Sequence, residues 1–241
     1  DQARLLLEGE AVEGDVLIAC DGIKSAIRAQ MAPGEGDPIW NGAVLWRAIS
    51  RAPAFRGSAS MALIGHGTQR VVAYPISEPD ADTGLCDMNW IAEKVFDPAE
   101  GWSRDDWNKA VDPAIFADDF TDWSYDWFDS PALIESAAEV LEYPMVDRNP
   151  LPRWSFDRAT LIGDAAHAMY PIGSNGASQA IIDARILGLK LKESGLNPQA
   201  LKSYENERLE KTNAIVLANR GNGPDQIMEI VEQRSKCEPV E

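Results

Sequence analysis

ATLIGDAAHAMYPIGSNGASQAIIDARILGLKL, residues 159–191, joins three kinds of local pattern. Residues 159–163 form a short apolar run with β-branched side chains, which predicts a buried strand. Residues 164–175 contain the Pro and Gly positions typical of a loop. From Gly176 onward, small or apolar residues recur at the spacing of a close-packed helix. They are Ala177, Ala180, Ile181, Ala184, Leu187, Gly188 and Leu191.

The predicted loop leads into the N-terminus of the predicted helix. Unpaired N–H groups and the helix dipole favour electron-rich oxygens at such a position. Asp164 follows the strand directly, so its carboxylate is placed to accept hydrogen bonds from a sugar-like hydroxyl. His167 has the chemistry of a general base. We expect Asp183, on the helix that follows, to matter less for a ligand.

The order Gly163-Asp164-Ala165-Ala166-His167, then Pro171, Gly173 and Gly176, resembles the second FAD-binding motif of the class A flavoprotein aromatic monooxygenases. In that family the Asp binds the ribityl chain, and the backbone after the Pro approaches the flavin ring. The resemblance makes His167 a loop-orienting residue. An ordinary strand–loop–helix with a Pro-Gly turn is the alternative. The cofactor-binding residues that the resemblance implies here are Gly163, Asp164, Pro171, Gly173, Ser174, Asn175 and Gly176.

The resemblance extends over most of the chain. The segments WRAIS, VVAYPIS and YPMVDRNPLPRW are similar to the phenazine-carboxylate hydroxylase branch. Near the N-terminus, GDVLIAC at residues 14–20 predicts a buried strand. DGIKSAIR follows at residues 21–28 and resembles the family's middle motif, which lies near the flavin pyrophosphate and is implicated in nicotinamide binding.

This middle motif implies that Asp21 and Arg28 belong to the cofactor site. Ser25 is a candidate helix cap. Arg28, one turn into the helix, could offer a guanidinium fork to a phosphate. The alternative is a turn followed by a surface arginine.

The family's first motif, a G-x-G-x-x-G in an N-terminal βαβ unit, has no counterpart in this sequence. The chain therefore resembles the C-terminal portion of such an enzyme. A shortened expression product, proteolysis and a partial gene would each account for that. We expect this chain alone to bind FAD weakly or not at all and to be inactive. We also expect it to self-associate or to pair with a missing N-terminal fragment.

The fold class we expect is α/β, with a partial Rossmann-like FAD-binding domain and a mixed-sheet substrate domain. The first comprises residues 1–30 and 148–220, including a long helix that opens at Pro198. The second comprises residues 31–147, and residues 221–241 form a tail. Strands are predicted at 40–50, 60–65, 70–76, 85–95 and 138–145, and helices at 103–111, 113–117 and 131–137.

Four residues on the predicted strands are candidates for substrate contacts: Trp46, Arg47, Tyr74 and Trp90. They sit on the strands that should face the flavin. Their aromatic faces could clamp a planar substrate, and Arg47 could pair with a carboxylate. The alternative is that they are core aromatics of a twisted sheet and an edge arginine. No catalytic side chain is assigned.

Composition excludes several classes of function. The net charge of −17 over 241 residues argues against nucleic acid and anionic membranes as partners. No apolar run reaches ~18 residues, so no membrane span is expected. Cys20, Cys86 and Cys237 are widely separated, which is typical of reduced, cytoplasmic thiols. His66 and His167 are the only histidines, so no metal site is expected.

The family resemblance implies an FAD- and NAD(P)H-dependent monooxygenase. Reduced flavin would take up dioxygen at C4a, and the resulting hydroperoxide would deliver one oxygen to a small, electron-rich aromatic substrate. The protein would orient the ring and exclude water. Two alternatives stay open at this point. One is a flavin oxidoreductase of the same fold that does not hydroxylate. The other is a non-catalytic remnant, unable to hold FAD, that acts as an interaction module.

Overall fold

A computed structural model describes residues 2–97, 99 and 109–221, apart from the side chain of His66. The chain is an α/β protein whose described residues form two compact units, 2–39 with 146–221, and 40–145. Residues 31–39, which the sequence analysis placed in the substrate domain, belong to the first unit. No helix in the described ranges is long and apolar enough to cross a bilayer.

Strands and helices are numbered in chain order. The strands are β1 (Ala3–Leu7), β2 (Glu10–Gly14), β3 (Leu17–Ala19), β4 (Ile39–Pro53), β5 (Ala62–His66), β6 (Gln69–Pro75), β7 (Leu85–Val95), β8 (Lys109–Val111), β9 (Ser124–Tyr125), β10 (Phe128–Asp129), β11 (Val140–Asp147), β12 (Ser155–Phe156) and β13 (Ala159–Leu161). The α-helices are α1 (Ala26–Met31), α2 (Ser130–Glu135), α3 (Asp164–His167), α4 (Gly176–Ser194) and α5 (Pro198–Ala218).

The first unit contains a three-stranded sheet in the order β12-β13-β3, in which β13 and β3 run parallel. A β1–β2 hairpin precedes this sheet. Trp154 and Tyr204 are fully buried in a core that also contains Leu161 and Leu201. Helix α5 begins at the predicted proline, and Asn197 caps it by accepting a hydrogen bond from the N–H of Ala200.

Helix α4 packs through a different face from the one that its apolar residues predicted. Its buried residues are Gln179, Asp183 and Leu187, which follow one another at intervals of four. Ile181, from the predicted packing stripe, is 71% exposed. The predicted helix is therefore confirmed but its packing face is wrong, because two polar side chains occupy the buried side.

The second unit is built on a six-stranded sheet in the order β5-β6-β7-β4-β11-β8. Val44, Trp46 and Trp90 point from one face of this sheet into a core that includes Phe116 and Phe120. Short 3-10 turns at Pro113–Ile115 and Ala117–Phe120 carry those two phenylalanines near the sheet. The apolar residues alternate along β4 and β7, which is the pattern of strands that bury one face.

Several predicted elements appear with small changes at their ends. Strand β7 has the predicted bounds, and β4 is longer than predicted at both ends. The helix predicted at 103–111 falls largely on residues 103–108, which lie outside the described residues. Its last three residues, Lys109–Val111, form strand β8 instead of helix.

Candidate functional site

The turn between β13 and α3 presents the carboxylate of Asp164. Gly163 has a φ of 57°, a region that glycine adopts without the steric cost other residues bear. Asp164 is the first residue of α3 and is exposed. Within the described ranges its carboxylate makes no hydrogen bond to the chain. The side chain is therefore available to an external donor such as a hydroxyl group.

A buried polar cluster lies behind this turn and fixes its backbone. Asp183 is completely buried and accepts hydrogen bonds from His167 Nε2 at 2.5 Å, Arg208 Nε at 2.8 Å and the Gly163 N–H at 3.1 Å. Arg208 also donates to Gln179 Oε1 at 2.7 Å. The cluster joins α3, α4 and α5 directly to the turn that carries Asp164.

The charge of Asp183 is stabilised by these partners. Burial alone would raise the pKa of Asp183, but the hydrogen bond and charge of His167 and the hydrogen bonds from Arg208 and the Gly163 N–H outweigh burial. Together they hold the pKa below the ordinary value of an aspartate. Asp183 therefore anchors the candidate cofactor turn, and the expectation that it matters less for a ligand than Asp164 stays a prediction.

Arg28 has a role different from the predicted phosphate contact. It is 1% exposed, and its guanidinium donates from Nε and Nη2 to the Glu35 carboxylate at 2.8 and 2.5 Å. Nη1 donates to the carbonyl oxygens of Ala165 and Ala166, and Nη2 also donates to that of Asn149. Every N–H group of the guanidinium thus has a protein acceptor. The geometry contradicts a phosphate contact and shows Arg28 holding the α3 segment in place.

Asp21 and Ser25 shape the start of α1. The Asp21 carboxylate accepts a hydrogen bond from the Ala26 N–H at 2.9 Å. The predicted cap is confirmed, because Ser25 Oγ accepts one from the Arg28 N–H at 2.9 Å. Asp21 is exposed, so its assignment to the cofactor site stays a prediction.

The segment between α3 and α4 offers a ligand its backbone groups rather than its side chains. Gly173 has a φ of 85° and Ser174 a φ of 54°, both in the left-handed region. Asn175, the residue before α4, makes no side-chain capping hydrogen bond. Pro171 is exposed, and a Cβ added at Gly176 would meet no atom within 4 Å. The first N–H groups of a 19-residue helix are thus open to an electron-rich oxygen.

The four predicted substrate residues do not share one surface. Trp46 is 3% exposed, stacks on Phe116 at 4.3 Å between ring centroids and donates from Nε1 to Glu142. Trp90 is 1% exposed and donates to Ser50 Oγ. The prediction is wrong for both tryptophans, because alternate strand residues point to opposite faces of a sheet.

Arg47 and Tyr74 lie on the other face of the same sheet. Arg47 is exposed and its Nε donates to Asn89 Oδ1 at 3.0 Å. Tyr74 is paired with Asn89 across β6 and β7, so these two side chains project from the same face. The structure therefore brings Arg47 and Tyr74 together with a residue that the sequence analysis did not single out.

The sequence analysis did not single out Arg208 or Asn89, and it gave Asp183 no structural role. For Asp183 a signal existed: Gln179 and Asp183 stand four apart on a helix whose other residues are mostly apolar or small. Such a pair is as consistent with an exposed polar stripe as with a buried one.

In the described part of the chain no group of three or more His, Cys, Asp and Glu side chains is arranged to hold a metal ion.

Residues 2–218 match the sequence model of a family described as the FAD binding domain. The chain belongs to this FAD-binding family. A phenazine 1,6-dicarboxylic acid hydroxylase, PhzS, from Lysobacter antibioticus is 40% identical over 210 residues, which are 86% of this chain and 51% of that protein. A 6-hydroxynicotinate 3-monooxygenase from Bordetella bronchiseptica is 29% identical over 225 residues, 89% of this chain and 54% of that protein.

Solved structures of the same fold include Klebsiella pneumoniae HpxO complexed with FAD and uric acid. It matches with a TM-score of 0.74 at 23% identity, over 96% of this chain and 58% of that one. A salicylate hydroxylase substrate complex matches with a TM-score of 0.71 at 23% identity, over 90% of this chain and 56% of that one. The resemblance to flavoprotein aromatic hydroxylases is confirmed. The chain spans about half the length of the curated relatives it matches.

Proposed function

We propose that the protein carrying this chain is an FAD- and NAD(P)H-dependent monooxygenase that hydroxylates a small aromatic substrate. The observation that carries the proposal is the Gly163–Asp164 turn, which presents an exposed carboxylate and is hydrogen-bonded to α4 through Asp183. When bound, FAD would supply the oxygen chemistry, with electrons from NAD(P)H and one oxygen atom from dioxygen.

This unit has an acceptor and donors that would hold part of FAD. Asp164 would accept hydrogen bonds from ribityl hydroxyls, and the N–H groups at the start of α4 would donate to electron-rich oxygens of the cofactor. The Gly163 N–H is held from behind by Asp183, so the turn is organised before a ligand arrives. Such preorganisation lowers the entropic cost of binding.

The relatives support the choice of reaction. Their names describe hydroxylases and monooxygenases, and two act on aromatic acids, phenazine 1,6-dicarboxylic acid and 6-hydroxynicotinate. We propose a substrate of the same broad kind. In the proposed reaction, the chain's own residues bind and orient the aromatic ring of the substrate and keep water away from it. No acid–base pair from the chain is required.

The test replaces Asp164 by Ala in the FAD-loaded protein. Loss of a charge-assisted hydrogen bond of roughly 1.5–3 kcal/mol should weaken FAD binding by about one to two orders of magnitude. Because Asp164 is exposed, the thermal midpoint should change little. FAD affinity is measured by flavin fluorescence titration, and hydroxylation by product analysis with NADH or NADPH.

Glu210→Ala is the matched control, since Glu210 is an exposed carboxylate of the same unit on α5. It should leave FAD affinity unchanged. Wild-type FAD affinity in Asp164→Ala would contradict the cofactor assignment. NAD(P)H oxidation without a hydroxylated product would instead favour a flavin oxidoreductase that does not hydroxylate.

A further inference from the structure

The end of helix α5 is joined to the end of strand β11 by a bidentate ion pair. Arg220, the second residue after α5, donates from Nε and Nη2 to the two carboxylate oxygens of Asp147 at 2.6 and 3.0 Å. Asp147, the last residue of β11, is completely buried. Nη1 of Arg220 donates to Asn149 Oδ1 at 3.0 Å. Because a bidentate pair fixes orientation as well as distance, the chain has a defined direction at Arg220.

Asn219, between α5 and this ion pair, reaches the segment that joins α3 to α4. Its N–H donates to the carbonyl oxygen of Ile215 in the last turn of α5. The residue is 6% exposed, and its Nδ2 donates to the carbonyl oxygen of Tyr170 at 3.1 Å. A carbonyl oxygen only accepts, so the amide atom that faces it must be Nδ2. Tyr170 is buried as well, and its hydroxyl donates to the Ile39 carbonyl oxygen at 3.2 Å, so both its backbone and its ring are held.

The turn that follows Tyr170 has a strained backbone. The Ser174 N–H donates to the Pro171 carbonyl oxygen at 3.0 Å, and φ is 85° at Gly173 and 54° at Ser174. A positive φ suits glycine but is costly for serine. All three residues are exposed, so a packed core does not enclose them. A strained turn persists where its surroundings fix it, and the hydrogen bond from Asn219 to Tyr170 lies immediately before it.

Asn219 also lies beside the tip of this turn. A Cβ placed on Gly173 would lie 3.8 Å from Asn219 Oδ1. The turn leads directly into the N-terminus of α4, whose first N–H groups are the donors assigned to FAD above. A shift of the turn would therefore move the backbone groups that the cofactor meets.

We propose that Asn219 is a positioning residue for FAD and that the Asp147–Arg220 pair keeps it in place. Asn219 fixes the Pro171–Ser174 turn through the Tyr170 carbonyl oxygen, so that the turn has its ligand-binding conformation before FAD arrives. Such preorganisation lowers the entropic cost of binding. This inference rests on the proposed flavin-dependent function and adds to the cofactor site a residue from the end of α5.

The first measurement is amide hydrogen exchange by NMR in the protein without FAD. Asn219→Asp keeps the side-chain size but removes the donor and sets a carboxylate oxygen against the Tyr170 carbonyl oxygen. The Ser174 amide should then exchange about tenfold faster than in wild type, which corresponds to the loss of one hydrogen bond. Asn213→Asp is the matched control, since Asn213 on the same helix donates from Nδ2 to the Leu151 carbonyl oxygen at 3.0 Å. It should leave Ser174 exchange within about twofold of wild type.

The second measurement follows bound FAD. Asn219→Asp and Asn213→Asp each lose one amide-to-carbonyl hydrogen bond, so their unfolding midpoints in urea should fall to similar extents. Only Asn219→Asp should weaken FAD binding, by about tenfold, and change the visible circular dichroism of the bound flavin. Arg220→Lys keeps the charge but not the bidentate geometry, so it should lower FAD affinity by a smaller factor.

Unchanged Ser174 exchange in a folded Asn219→Asp protein would overturn the proposal, as would equal losses of FAD affinity in Asn219→Asp and Asn213→Asp. If Asn219→Asp does not fold, Arg220→Lys decides the matter: wild-type exchange and FAD affinity in that variant would contradict the proposal. If the wild-type protein bound no FAD, the proposed cofactor function would fail, whereas Ser174 exchange would still decide whether Asn219 fixes the turn.

Discussion

Two regions of the molecule each contain an arginine that the sequence analysis assigned to a ligand contact. One is the surroundings of helix α3, and the other is the face of the second unit's sheet opposite its aromatic core. Beside helix α3, Arg28 is 1% exposed and donates to Glu35 and to three backbone carbonyl oxygens. On the sheet face, Arg47 is exposed, and within the described chain its guanidinium donates to the uncharged amide of Asn89.

This difference distinguishes arginines that stabilise the fold from arginines that can bind a ligand. A guanidinium whose N–H groups all have protein acceptors adds rigidity but offers nothing to an anion. A guanidinium held in place by a neutral partner keeps its charge and its terminal donors. Burial and partner chemistry, rather than the residue type, therefore assign the two roles.

The largest effect on stability is expected for Arg28→Met. The substitution keeps much of the side-chain volume but leaves the Glu35 carboxylate and the carbonyl oxygens of Ala165 and Ala166 without their buried donor. Removing one partner of a buried ion pair costs about 3–5 kcal/mol, and the free energy of unfolding in urea should fall by that amount. Arg4→Met is the control, since Arg4 is largely exposed and lies 4.0 Å from Glu13.

The Arg4 control should change the unfolding free energy by no more than about 1 kcal/mol. If Arg28→Met kept the wild-type free energy of unfolding but lost FAD affinity, the structural role assigned to Arg28 would be wrong. That result would mean that Arg28 contacts the cofactor.

An intermediate effect on stability, which depends on pH, is expected for Asp183→Asn. The amide keeps the shape but loses the charge that faces Arg208, at a cost of about 1.5–3 kcal/mol near neutral pH. Because folding lowers the pKa of Asp183, the stabilisation by its carboxylate is present above the unfolded-state value of about 3.9. It is lost as the pH falls through the lower pKa of the folded state.

Urea unfolding at several pH values checks this. The stability difference between wild type and Asp183→Asn should be full between about pH 5 and 8 and should shrink below about pH 4. A difference that stays constant down to pH 3 would show that the carboxylate charge is not what stabilises the cluster. Asp164→Asn, at an exposed site, should stay within about 0.5 kcal/mol of wild type at neutral pH.

The local elements were largely predictable from the sequence. The strand before Gly163, the helix from Gly176, the Ser25 cap and the bounds of β7 follow from short-range patterns that one segment carries by itself. The α/β class follows from their order. These features depend on hydrophobic periodicity, helix capping and turn residues. Tertiary contacts change them only at the ends of the strands and helices.

What the sequence could not supply was the direction in which particular side chains point. Trp46 and Arg47 are neighbours in the chain and were assigned together, yet adjacent strand residues face opposite sides of the sheet. Which side holds the core depends on what packs against it, here Phe116 from a distant turn. Asp183 was underestimated for the same reason, since its partners His167 and Arg208 come from separate helices.

The smallest effect on stability is expected for Arg47→Met, and it tests the comparison most directly. The variant removes one hydrogen bond to Asn89, so the free energy of unfolding should fall by only about 1 kcal/mol. Its effect on ligand binding should be larger. A ligand at about 100 times its dissociation constant stabilises a protein by about 2.7 kcal/mol, and phenazine-1-carboxylic acid should give the wild type that gain in urea unfolding. Most of this gain should disappear in Arg47→Met and persist in Arg51→Met, whose arginine is already neutralised by Asp87. Equal stabilisation of both variants by the acid would show that the uncompensated charge of Arg47 has no part in binding, and the contrast with Arg28 would then be one of exposure alone.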